Sequence, residues 1–411
     1  MKRILTVFGY FIMSAVLFFG GAALNAVPPG GGAADIKMPA VDKGDPDMTD
    51  DGNDADSYDA SASDKDAAED PASDDAAEDP DIHEYYYSLL DDAKKEYYDQ
   101  ISDAAASEAE SVTLDGITHD EAEPVLISVM NDHPEYFWLD SSYTYQSGED
   151  YVKLIFNYNC TGGEKDSRQR VIEQQASQII NGIPDSSSDY EKVKYVFETI
   201  VDQTQYDKSA PDNQNIYSVF GNWTTVCAGY AKAVKYLLDQ MGVECIYVTG
   251  NAGEPHAWNI VKCGGAYYCV DATWGDPAYQ EGIGVDVDTT SYEYLCCTTQ
   301  MLSRTHTPDP MFPVPECTDT SLEYYRMEGR YLTSADQEPI LSIMKSDVDE
   351  GAERTDIQFS DPDVFDQVMA QIDPLLDEAM KYEMEVKGPD SGGVSYQYND
   401  NTCLLTVLWN N

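Results

Sequence analysis

The chain is 411 residues long, enough for two or more hydrophobic cores, and its 76 acidic against 24 basic residues give a formal net charge of −52. Nucleic acid and anionic membrane surfaces are held by clustered Lys and Arg, so this balance argues against both as surface partners. It favours solubility and self-repulsion, with attraction to basic or Lys-rich partners as the sharper reading.

Lys2-Arg3 is followed by no charge until Asp35, and residues 4–26 are rich in Leu, Ile, Val and Phe. Residues 1–27 therefore read as a secretory signal, with Leu24-Asn25-Ala26 as a cleavage site, or as an uncleaved membrane anchor, since about 20 apolar residues span a bilayer. Basic residues ahead of this segment send the remainder outward. The expected location is extracellular, secreted or held at the cell surface, with the membrane met only through the N-terminal segment. A lipid anchor is not supported, because no Cys precedes Cys160. Pro28-Pro29-Gly30 then opens an acidic stretch over 28–82. Between Gly31 and Ile82 eighteen Asp or Glu stand against three Lys, and Asp66-Ala67-Ala68-Glu69-Asp70-Pro71 recurs as Asp75-Ala76-Ala77-Glu78-Asp79-Pro80. Too little apolar area is available there to overcome chain entropy, which predicts a disordered, extended linker.

Residues 83–164 are predicted as an N-terminal α+β region. It has a Tyr-rich helix over 85–105, a helix over 120–131, and strands over 143–145 and 151–156. Residues 165–332 follow as the region that carries chemistry. Helices are predicted over 166–181 and 189–204, the second opened by a Ser188…Glu191 capping box and striped by Val193, Val196, Phe197, Ile200 and Val201. Apolar residues at Tyr230, Ala233, Val234, Leu237, Leu238 and Met241 then give helical spacing, stopped by Gly242. Cys227, in Val226-Cys227-Ala228-Gly229-Tyr230, stands at the start of that helix, where unpaired N–H groups and the macrodipole favour a thiolate. The bland alternative is a buried structural Cys.

Trp258-Asn259-Ile260-Val261 and Ala266-Tyr267-Tyr268-Cys269-Val270 read as strands joined through Gly264-Gly265, a hairpin signal. With Cys263 facing Ala266, His256 and Asp271 fall diagonally on one face and within side-chain reach. A carboxylate there holds the imidazole in one tautomer, whereas a one-residue slip would separate the two. Trp258 and Trp274 flank that face, as walls of a substrate channel or as core. Nine Cys allow four bridges and one free thiol, or none; Cys263 and Cys269 point to opposite faces, and most are read as core packing. No Cys pair has a matching His pair at zinc-ligand spacing, so neither a metal nor a cofactor is expected. Residues 333–411 are predicted as a C-terminal α+β region, with a helix over 363–381 and strands over 394–397 and 404–408. Helix plus hairpin at both ends suggests an internal repeat.

Val226-Cys227-Ala228-Gly229-Tyr230-Ala231, His256-Ala257-Trp258-Asn259 and Val270-Asp271-Ala272-Thr273-Trp274 together resemble the transglutaminase-like superfamily, specifically its bacterial secreted branch. Ser291-Tyr292-Glu293-Tyr294 and Arg304-Thr305-His306 resemble the family's closing segment, with His306 read as structural. The resemblance runs from about Tyr190 to Tyr331. It implies an α+β, papain-like core with a nucleophile helix packed on an antiparallel sheet, Cys227 as nucleophile, His256 as base and Asp271 as orienting acid. It also brings Gln214, in Gln214-Asn215-Ile216-Tyr217, toward the cleft as an oxyanion donor, against the plainer reading of a loop residue. The function expected is a cysteine enzyme acting on amide bonds of peptides or proteins through an acyl-thioester, with hydrolysis favoured over cross-linking. Cell-wall or Lys-rich material is among the candidate substrates. The rival reading is a non-catalytic surface module that binds peptide or cell-wall polymer.

Overall fold

Helices and sheets alternate in blocks along the chain. The computed structural model describes residues 12–16, 84–148, 150–276, 290–388 and 393–410. All of these belong to one unit. The acidic linker and most of the apolar N-terminal segment thus lie outside the described residues. No helix among the described residues is long and apolar enough to cross a membrane.

The first block contains β1 (Ile12–Val16), α1 (Tyr85–Ser88), α2 (Asp92–Ala106), β2 (Ser111–Asp115), α3 (His119–Asp132), β3 (Leu139–Ser147) and β4 (Tyr151–Tyr158). Its strands form an antiparallel sheet in the order β1-β3-β4-β2. Ile101, Val125 and Leu126 of the helices are buried against Leu114, Val152 and Leu154 of the strands. The single helix expected over 85–105 is instead two. Asp91 caps the second helix, its side chain accepting from Lys94 N at 2.9 Å, and a cap residue takes an extended conformation that ends any preceding helix.

The central block runs through α4 (Gly162–Ile180), α5 (Asp189–Gln203), β5 (Gln205–Tyr206), α6 (Ile216–Asn222), β6 (Thr224–Thr225) and α7 (Cys227–Gln240). It continues with β7 (Cys245–Asn251), β8 (Pro255–Cys263), β9 (Ala266–Val270), β10 (Leu295–Cys297), α8 (Thr299–Leu302) and β11 (Thr307–Pro308). The Ser188–Glu191 capping box is formed. The main sheet is antiparallel, in the order β10-β9-β8-β7-β11. α5, α6 and α7 bury their apolar stripes against one another and against Cys245, Val261 and Val270 of the sheet. This is an α+β core, with the helix that begins at Cys227 packed on an antiparallel sheet, as the resemblance implied. Gly264 and Gly265 have φ of 57° and 87°, the pair of positive values a tight hairpin turn needs. That turn fixes the pairing Cys263↔Ala266 through Asn259↔Val270.

The chain then reaches both edges of this sheet in quick succession. β10 pairs with β9 at one edge and β11 with β7 at the other. The short stretch between them, including α8, crosses the sheet face and buries Leu302 with Val248, Trp258 and Ile260.

The last block holds α9 (Tyr324–Met327), β12 (Tyr331–Leu332), α10 (Gln337–Glu350), β13 (Arg354–Phe359), α11 (Pro362–Met369), α12 (Ile372–Lys387), β14 (Gly393–Asn399) and β15 (Leu404–Asn410). The helix expected over 363–381 is two helices. Pro374 sits in the first turn of the second, where its missing N–H costs nothing, whereas deeper in a helix it would remove a hydrogen bond. α10 and β13 are additional to the expected elements. Helix and hairpin do occur at both ends, but the sheets differ: here the order is β12-β13-β15-β14, with β12 parallel to β13. The turn between β14 and β15 seats on the central block. Asn399 Nδ2 and Thr402 Oγ1 donate to Glu293 at 3.0 and 2.8 Å, and Arg304 donates to the Asn401 carbonyl at 2.6 Å. All nine cysteines are buried free thiols.

Candidate active site

Cys227 is the first residue of α7, preceded by Val226 in an extended conformation, and is 5 % exposed. It therefore stands where helix N–H groups lack carbonyl partners of their own. His256 lies near the start of β8, opposite Gly250 of β7. A Cβ at Gly250 would run into the Thr307 carbonyl and the Trp258 ring, so glycine is what lets β11 close over this end of the sheet. Asp271 follows the last residue of β9, its backbone N–H donating to the Tyr294 carbonyl at 3.0 Å.

The three side chains converge. His256 Nε2 lies 2.7 Å from Asp271 Oδ2, and the Cys227 sulfur is near enough to the same imidazole to favour its charged form. With Nε2 engaged by the carboxylate, Nδ1 is the nitrogen left for sulfur. Burial disfavours a charge on His256, yet the Asp271 carboxylate and the Cys227 sulfur outweigh it and push the imidazole up to about 10. Burial likewise disfavours charge on Asp271, but His256 and His306 hold its carboxyl well below the usual carboxylate range. The arrangement thus favours the charged form of a buried imidazole between a carboxylate and a sulfur.

Asp271 has a second histidine. His306 Nε2 lies 3.0 Å from the same Oδ2, while Oδ1 accepts from Thr273 N at 2.9 Å and Trp274 N at 3.3 Å. His306 was expected to be structural; it is buried, and it belongs to this network. Its only sequence signal is its place in the family's closing segment, since nothing local marks it as a partner of Asp271. Ligand atoms of His256, Asp271 and His306 lie within 4.8 Å of one another, a grouping tight enough to consider for a cation. Both N–O separations are those of direct hydrogen bonds, so the donors and the acceptor already satisfy one another.

Of the other candidates, the two indoles stand beside His256, and Gln214 and Tyr230 are held by neighbours outside the three. Trp258, 1 % exposed, stacks beside His256 at a centroid distance of 6.2 Å and is core rather than a channel wall. Trp274 is half-buried and meets His256 edge-on, also at 6.2 Å. Gln214 Nε2 donates to Asn213 Oδ1 at 3.0 Å, and the Gln214 backbone carbonyl accepts from Lys232 Nζ at 3.1 Å. Tyr230 is fully buried, its hydroxyl bonded to Asp276 and the Thr204 carbonyl.

Residues 174–272 match the model of the transglutaminase-like superfamily, and that stretch is similar to its members. Kyphoscoliosis peptidase of Mus musculus is 28 % identical over 131 residues, which cover 28 % of this chain and 19 % of the mouse protein. A crystal structure of a TGase is 14 % identical with a TM-score of 0.24, over 40 % of this chain and 50 % of that one. The chain thus matches only part of the length of either relative.

Proposed function

We propose that the protein is an extracellular cysteine enzyme that cleaves amide bonds of peptides or proteins through an acyl-thioester. The observation that carries this reading is the Cys227 thiol against His256, whose far nitrogen is held by Asp271 at 2.7 Å. In acylation the Cys227 thiolate attacks the amide carbon, the carbonyl oxygen faces N–H groups of the first turn of α7, and His256 passes its proton to the departing amine. In deacylation His256 takes a proton from water, which attacks the thioester; the acyl group leaves as a carboxylic acid and the Cys227 thiolate is restored beside protonated His256. A Lys amine in place of water would give cross-linking. Hydrolysis is favoured because water is abundant while its exclusion must be built, and the mouse relative is a peptidase by name. Secretion rests on the charge pattern at the N-terminus and on the acidic linker.

Mass-spectrometric mapping of alkylation by iodoacetamide near pH 6 tests the reading, since ordinary thiols are protonated there. Cys227 should be modified well ahead of the other eight cysteines. Cys227→Ala should abolish acyl-enzyme formation without unfolding the chain. Asp271→Asn should lower turnover by about 10³–10⁴-fold through the wrong tautomer, as in serine triads. An unreactive Cys227 would leave the fold as a binding module.

A further inference from the structure

His306 is 1 % exposed and takes no part in the acyl-transfer steps, yet it shares an atom with them. Asp271 Oδ2 receives His256 at 2.7 Å and His306 at 3.0 Å. Oδ1 is occupied by the two backbone N–H groups of Thr273 and Trp274, so neither histidine has a second oxygen to move to. A carboxylate oxygen offers two lone-pair sites, and two imidazole N–H groups fill them.

Behind His306, Nδ1 stands 2.7 Å from Thr305 Oγ1, which also reaches the Leu302 carbonyl at 3.3 Å. Thr305 serves either charge state of the imidazole. It donates to Nδ1 of the neutral ring, or accepts from Nδ1–H of the charged ring while its own proton turns to Leu302. The rings of Trp258, Trp274 and Tyr294, with centroids at 5.2, 4.8 and 5.4 Å, box the imidazole in.

We propose that His306 is a positioning residue: its Nε2–H clamps the Asp271 oxygen that orients His256 and draws off part of that oxygen's negative charge. This rests on the reading of Cys227, His256 and Asp271 as an acyl-transfer site. A carboxylate given wholly to His256 would bind the imidazolium proton more tightly, just where that proton must pass to a leaving amine. A second donor weakens the same oxygen as an acceptor and keeps His256 a usable acid. The titratable groups facing this pair are Cys227 on α7, Asp271 after β9 and Tyr294 before β10, with Tyr247 of β7 raised by burial and by the neighbouring Cys227. Trp258 and Trp274 bring no charge.

The test is the pH profile of Cys227 alkylation in the full chain, read beside wild type in His306→Phe and His306→Gln. Phe keeps a ring in the aromatic box and deletes the donor; Gln restores a neutral N–H near the Nε2 position. In His306→Phe the alkaline limb, where His256 loses its proton, should move up by about one pH unit, and in His306→Gln it should return toward wild type. A limb that stays in place in folded His306→Phe overturns the proposal. Should that variant not fold, ¹⁵N-histidine spectra decide: His306 Nε2 must carry a proton, and its signal must shift in Asp271→Asn. An unprotonated Nε2 overturns the proposal. A wild-type Cys227 that resists alkylation near pH 6 overturns the acyl-transfer reading itself, an outcome distinct from an unmoved limb.

Discussion

At the scale of single residues, the stability of this fold should track the charge on His256. Its folded pKa, about 10, lies above the value of 6.5 expected in the unfolded chain. The ion pair with Asp271 therefore contributes fully below pH 6.5, and that contribution is lost as pH rises toward 10. Urea unfolding at pH 6, 8 and 10 should show wild type weakening across this range more than Asp271→Asn does; parallel curves would refute it. Cys227, His256 and Asp271 were legible in sequence because each has a local signature: a helix start, a strand and a Gly-Gly turn. His306 was not. Its bond to Asp271 depends on a crossing of the sheet face that no local pattern encodes. Trp258 stayed open between channel wall and core for the same reason, since only the path of the crossing segment decides whether an indole beside a histidine faces solvent or core.

At the scale of elements, the short β11 is the piece most exposed to small changes. It approaches β7 closely at Gly250, so Gly250→Ala should push β11 outward and cost about 1–3 kcal/mol, the usual price of overpacking. Urea midpoints measure this, and an unchanged midpoint would mean the edge yields freely. The two helices that proved to be pairs show what the sequence did contain. Asp91 before Lys94 is a cap signal, and Pro374 is cheapest in a first turn, so both breaks had local marks that a single continuous helix read across. The parallel pairing of β12 with β13 had no comparable signal, because strands so short carry no period.

At the scale of the whole molecule, the C-terminal block steadies the segment that carries His306. The turn between β14 and β15 binds Glu293 and Arg304, which flank β10 and α8. A chain ending at Thr333 should therefore melt at lower temperature, and Arg304→Ala should reproduce part of that loss. Burial pushes the Glu293 carboxyl up to about 7, above its usual 4.5. Docking is thus strongest below pH 4.5 and weakens as pH rises through 7, so Glu293→Gln should flatten that dependence in thermal scans. Scans that coincide for the full-length and shortened chains would refute the bracing role.

Order of synthesis gives the crossing segment a further meaning. Chains emerge from the ribosome at about 5–20 residues per second, and domains fold as they appear. Cys227, His256 and Asp271 are all translated before His306, and the turn that holds the His306 segment in place comes later still. A nascent chain can thus gather its thiol, imidazole and carboxylate for some seconds before the second histidine arrives. Maturation of the site would then be timed by translation of its own C-terminal third.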